Sequence, residues 1–205
     1  MKVIVDGQEV RKVAGGDDLA GVYRELVGGL LANGRTVTQV VLDGKEMTQS
    51  EQSEMMESPS AGGDVLELNT IPADALICGT LEQVLQHMDV LRGGIAAAVD
   101  EFAKGNREKS LEALQPALDV WAVVCEAVQK VAVLETLRSD SAVQVDPSAA
   151  EQEGSRVLTE LERAMIEGDW VAFGDLLEYE LPGVVDTWEE LVKSILSSHQ
   201  SDSQE

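Results

Sequence analysis

The spacing of apolar side chains changes near Pro72, and that change restricts the architecture more than any other feature of the chain. Before it, apolar and polar residues alternate with a period of about two; after it, apolar residues recur by threes and fours. Neither pattern can serve the other's fold, so an α+β protein is predicted, with a sheet-bearing domain at 1–72 and a helical-bundle domain at 73–198. Val3 and Val5 point one way with Lys2, Ile4 and Asp6 the other, and Asp6-Gly7 supplies a hairpin turn before a second strand in GQEVRKV. Asp17 or Asp18 can cap a helix through Leu19, Val22, Leu26, Leu30 and Leu31 that ends at Asn33-Gly34. A third strand, TVTQVVL, turns at Asp43-Gly44 into a polar loop reaching Gly62-Gly63, and DVLELNTI closes a predicted ββαββ order. Alternation leaves Ile4 and Val41 on the exposed face of this sheet, where they are further candidate partner-binding residues.

MKVIV before the helix, VLDGKEM after it and DVLELNT at the close resemble the ubiquitin-like β-grasp fold. The resemblance implies one helix packed across a four-stranded sheet. Conjugated members of that family end in a free diglycine, whereas this chain continues for more than a hundred residues. Leu91-Arg92-Gly93-Gly94 spells such a tail, but it falls inside a helical pattern, where two small residues let helices approach closely.

Ile71-Pro72-Ala73 reads as a short linker, because proline cannot extend a strand ladder and disfavours helix in the residue before it. Beyond it, Leu81, Val84, Met88, Leu91, Ile95, Ala98 and Phe102 mark a long amphipathic helix with Thr80 as cap. After Gly105-Asn106, the line Leu111, Leu114, Leu118, Trp121, Cys125, Val128 and Ala132 gives an antiparallel partner carrying Pro116. A second pair repeats the layout. Leu158, Leu161 and Met165 lead to a turn at Gly168-Asp169, then Trp170, Phe173, Leu177, Leu181, Val184, Trp188, Leu191 and Ile195 follow at helical spacing. Pro182 and Trp188 answer Pro116 and Trp121, with a Gly-to-Pro interval longer by three residues, about one helical turn. Two related antiparallel hairpins are therefore predicted at 76–138 and 155–198, with a flexible loop at 139–154 and a disordered tail at 199–205. The stretch AMIEGDWVAFGDLLEYELPGVVDTWEELV resembles the acidic helical chaperones of flagellar export, and that likeness implies an export substrate as partner.

Thirty-eight acidic against fifteen basic residues give a formal net charge of −23, which repels nucleic-acid phosphates and anionic lipid and excludes both as expected partners. Residues 146–205 hold fifteen acids but only Arg156, Arg163 and Lys193 as strong bases, so the second hairpin is the most negative part. Its carboxylates Glu178, Glu180, Glu189 and Glu190, with Tyr179 among them, are the candidate docking face for a protein partner of basic or helical character; a homo-oligomer is compatible with the same surfaces. Glu178 and Glu180, two apart on a helix, face different ways and do not make an acid–base pair.

No catalytic constellation is legible. His87 and His199 stand without a Glu-x-x-His or His-x-x-x-His partner, and Cys78 and Cys125, 47 residues apart, sit among apolar neighbours that make a thiol inert. The paired glycines match neither a Walker loop nor a dinucleotide fingerprint. A non-enzymatic interaction or adaptor protein without cofactor or metal is expected. MKVIVDG is too short an apolar run for a signal peptide and no stretch of about 18 apolar residues occurs, so the expected location is cytoplasmic.

Overall fold

A computed structural model describes residues 1–13, 19–57, 65–138 and 145–202. The chain is mixed α+β, a five-stranded mixed sheet followed by a mostly helical region. It divides into two units, the first of residues 1–76 with Leu137 and Arg138, the second of residues 77–136 with the described residues from 145 onward.

In the first unit, β1 (Lys2–Val5) and β2 (Gln8–Lys12) are antiparallel across Asp6 and Gly7, whose φ values of 48° and 80° make the left-handed pair that suits a two-residue hairpin. Helix α1 (Leu19–Ala32) follows, then β3 (Arg35–Leu42), β4 (Lys45–Glu46), α2 (Gln49–Glu57) and β5 (Val65–Pro72). The strand order is β2-β1-β5-β3-β4, with β1 parallel to β5 and β3 antiparallel to it. Alternation then carries Val3, Val40, Leu66 and Leu68 to one face, where they join Val13, Val22 and Met55 in a buried core.

Three expectations are corrected here. The segment after Asp43-Gly44 is not simply a loop: it holds the short strand β4 and the helix α2. Thr48 starts that helix by a reciprocal pair, its backbone N–H donating to Glu51 Oε2 at 2.8 Å while Glu51 N–H donates to Thr48 Oγ1 at 3.3 Å. No linker separates sheet from helices, because β5 ends at Pro72 and α3 (Ala73–Ala103) begins at the next residue, with Ala73 N–H bonded to Gly34 O. Ile4 and Val41 are half-buried rather than exposed: each pairs with Glu67 of β5, so they flank a half-buried carboxylate in one row across the sheet. The expected caps Asp17 and Asp18 and the turn at Gly62-Gly63 lie outside the described residues.

In the second unit, the buried positions of α3 are Ile77, Leu81, Val84, Met88, Leu91, Ile95 and Ala98. Those of α4 (Arg107–Leu137) are Ser110, Leu114, Ala117, Trp121, Val124, Val128, Val131 and Glu135. Both sets step alternately by four and three, the 3.5-residue repeat of helices packed along a common seam. Leu118 and Cys125, expected inside, are only partly buried, because this seam runs along Ala117 and Val124 instead. Gly94 of α3 meets Ala117 so closely that a Cβ there would lie 2.8 Å from the alanine's Cβ, whereas Gly93 faces open space. Only one of the two adjacent glycines therefore serves helix approach. Buried Ser110 is satisfied by donating its hydroxyl to Ala98 O at 2.7 Å.

The last helices are α5 (Ser148–Glu167), α6 (Trp170–Asp175), a π-helical turn (Leu176–Glu180) and α7 (Leu181–Asp202). Helix α5 starts within the stretch expected to be a loop at 139–154; its seam of Ala150, Gly154, Val157, Leu161 and Ala164 reaches back that far, and residues 139–144 lie outside the described set. The tail expected to be disordered at 199–205 is corrected as far as residue 202, and residues 203–205 lie outside the described set. Helix α7 runs to Asp202, and His199 is buried with Nε2 3.3 Å from Oε1 of buried Glu135. Trp121 and Trp188 meet edge-on in the core, ring centres 6.5 Å apart at 68°. No helix among the described residues is long and apolar enough to cross a membrane.

Candidate partner-binding surface

Helix α5 stops because Gly168 takes a left-handed conformation, φ 72°, and bonds its N–H back to Met165 O at 3.2 Å. Asp169 then caps α6, its carboxylate accepting from Ala172 N–H at 3.1 Å. Inside this corner, Phe173 packs on Phe102 and Trp170, ring centres 5.4 Å and 5.7 Å away, and the Arg107 guanidinium lies 4.4 Å over the Trp170 ring. Outside it, Ile166 and Val171 stand 78% and 76% exposed on either side of the turn.

Val171, Asp175 and Tyr179 continue along the outer side of α6 and the π-helical turn. That turn has a cause in the sequence. Pro182 has no N–H to give the carbonyl four residues back, and its ring crowds that carbonyl; the wider turn relieves this, with Leu181 N–H reaching Leu176 O five residues away. Tyr179 is 66% exposed, and its hydroxyl pKa is raised by a hydrogen bond to Glu178 and by the charges of Glu178 and Asp175.

The four expected docking carboxylates do not form one face. Glu178 and Glu190 are exposed. Glu180 is exposed too but is engaged by Arg156 of α5 at 2.6 Å, and Arg156 also holds Glu153 at 2.7 Å and Glu160 at 3.0 Å. Glu189 is half-buried between Arg92 and Lys193, with Asp186 sharing Arg92 at 2.5 Å. Hydrogen bonding from Lys193 and the nearby Arg92 charge hold the Glu189 carboxyl below its ordinary range. Glu189 therefore ties α7 to α3, while Tyr179, Glu178 and Glu190 remain at the surface. Ile4 and Val41 belong to the other unit.

Sequence spacing missed a second feature, a groove between α4 and α5 with a volume of about 350 Å³. Trp121, Cys125 and Gln129 line it from α4, and Glu151, Gly154, Ser155, Leu158, Thr159 and Glu162 from α5, with Trp188 below. Gly154 lies so close to the indole that a Cβ would stand 2.9 Å from Trp121 Cζ2. Burial pushes the Cys125 thiol up to about 11, far from the range in which a thiolate acts as nucleophile. Among the described residues, no group of three or more His, Cys, Asp or Glu is placed to hold a metal ion.

A family model described as "Domain of unknown function (DUF8042)" matches residues 79–191, more than half of the chain. The chain belongs to this family. No curated protein and no solved structure matches it significantly. The DUF8042 segment begins inside α3 and ends inside α7, so it contains the heptad seams from Leu81 onward, the Trp121–Trp188 contact, the groove and the Gly168 corner. The sheet, with Ile4 and Val41, falls outside the DUF8042 match.

Proposed function

We propose that the chain is a non-enzymatic protein-interaction or adaptor molecule whose acidic helical unit binds a basic protein partner. The observation that carries this reading is the exposure of Ile166, Val171 and Tyr179 on a short stretch that also exposes Glu167, Asp169, Asp175 and Glu178. Apolar side chains ringed by carboxylates suit a partner that presents apolar and basic residues together. The strand order β2-β1-β5-β3-β4, with β1 parallel to β5, supports a β-grasp reading of the first unit. The meeting of Trp121 with Trp188, each following a helix-borne proline, supports reading α3–α4 and α5–α7 as two related antiparallel hairpins.

The test is affinity capture from the native cell with the wild-type chain and with the triple variant Ile166→Asp, Val171→Asp, Tyr179→Ala. A basic partner should be retained by the wild type, lost by the variant at unchanged melting temperature, and weakened by salt. A partner held equally by both chains would overturn the assignment of this surface. An export substrate as that partner would place the protein with the export chaperones, and cytosolic proteins outside export would place it among adaptors.

A further inference from the structure

The groove between α4 and α5 has an electrostatic layout that specifies an occupant. Its α4 wall, Trp121, Cys125 and Gln129, carries no charge. Along α5 the stripe Glu151, Ser155, Leu158, Glu162 advances by four, three and four residues, which keeps all four on one helical face and puts a carboxylate at each end. Eleven residues at 1.5 Å each separate those carboxylates by about 16 Å, three turns of helix. Gln129 Nε2 donates to Glu151 Oε1 at 3.0 Å and so holds one end in place, while Glu162 is exposed and makes no ion pair among the described residues. The strong bases of α5, Arg156 and Arg163, line the adjoining surface, which shares Glu151, Ser155 and Thr159 with the groove, and neither is among the residues lining the groove itself.

We propose that this groove seats one helix of a protein partner, with two apolar side chains over Trp121 and Leu158 and a Lys or Arg at each end meeting Glu151 and Glu162. The motif that fits is a basic residue, apolar residues four and seven positions on, and a second basic residue eleven positions on, the spacing of α5 itself. Charge complementarity selects a basic rather than an acidic helix, and the span between the carboxylates exceeds what a compact small molecule could bridge. The proposal rests on the protein-binding reading above and adds where, and by what sequence pattern, a partner helix is recognised.

The experiment uses the full chain and a labelled Ala-based helical peptide carrying Lys, Leu, Leu and Lys at that spacing. Controls have both Lys changed to Glu, both Leu changed to Ala, or the same residues scattered around the helix. Fluorescence anisotropy reads affinity, and slowed amide exchange in the groove-lining parts of α4 and α5 reads location. The patterned peptide should bind at least about tenfold more tightly than each control, and Glu151→Gln with Glu162→Gln should weaken it about tenfold. If the double variant melts early, each single variant should show a smaller loss in the same direction.

Equal binding of the scattered peptide, or amide exchange along the groove-lining parts of α4 and α5 unchanged at saturation, would overturn the proposal. The triple variant at Ile166, Val171 and Tyr179 should still bind the peptide. If the native partner depends on that triple surface while no peptide enters the groove, the groove inference falls and the protein-binding reading stands.

Discussion

At residue 154 the absence of a methyl group keeps the groove open and lets the Trp121 ring lie against the backbone of α5. Alanine there would gain about 1 kcal/mol in helix propensity yet place a Cβ 2.9 Å from a rigid indole, and overpacking of this kind costs about 1–3 kcal/mol. Gly154→Ala should therefore lower the melting temperature; a rise would show that the ring yields freely. Trp188, 1% exposed, and Trp121, 7% exposed, should each cost about 3–5 kcal/mol when changed to Ala, measured by denaturant unfolding. A loss below about 1 kcal/mol at both would place them outside the core. The two tryptophans were legible because large apolar side chains at helical spacing announce themselves. Ser110, Gly154, Glu135 and His199 were not, since each is small or polar and is buried only because a neighbouring element supplies its contact.

Among the elements, the long helices were legible from their periodicity, but which side of α4 faces inward was not. Leu111, Leu118 and Cys125 compete with Ser110, Ala117 and Val124 for the inner face, and the strict four-three alternation of the latter aligns with the seam of α3. Helix α2 was hidden by its polarity, with Met55 as its buried apolar anchor, although Thr48-Gln49-Ser50-Glu51 has the spacing of a capping box. Its start is also sensitive to acid. Hydrogen bonds from Lys45 and from Thr48 lower the Glu51 pKa from 4.5 to about 2. A carboxyl depressed on folding stabilises above its unfolded pKa and loses that contribution as pH falls through the folded value. Amide exchange at the start of α2 should therefore accelerate as pH falls from about 4.5 towards about 2, after correction for the intrinsic rate, and a Glu51 side chain titrating near 4.5 would contradict the cap. The π-helical turn could not be read from spacing alone, because a proline at position 182 is accommodated by a kink or by a wider turn with the same sequence signature.

For the whole molecule, a net charge of −23 would make association with the proposed basic partner fast and salt-sensitive, with individual carboxylates contributing unequally. Glu189, held by Arg92 and Lys193, should behave as a structural group: Glu189→Gln should lower the melting temperature, while Glu178→Gln and Glu190→Gln leave it unchanged. Equal effects at the three positions would contradict that division. The charge asymmetry was visible in the sequence; its partition into helix ties and open surface was not, because Arg92 and Arg156 lie far along the chain from Glu189 and Glu180. The central claim, that the helical unit is the binding surface, is tested most directly by amide hydrogen exchange of the full chain with and without its captured partner. Protection confined to α5, α6 and the turn through Glu180, with the facing part of α4, is the predicted result. Protection confined to the sheet, along the row of Ile4, Glu67 and Val41, would contradict it.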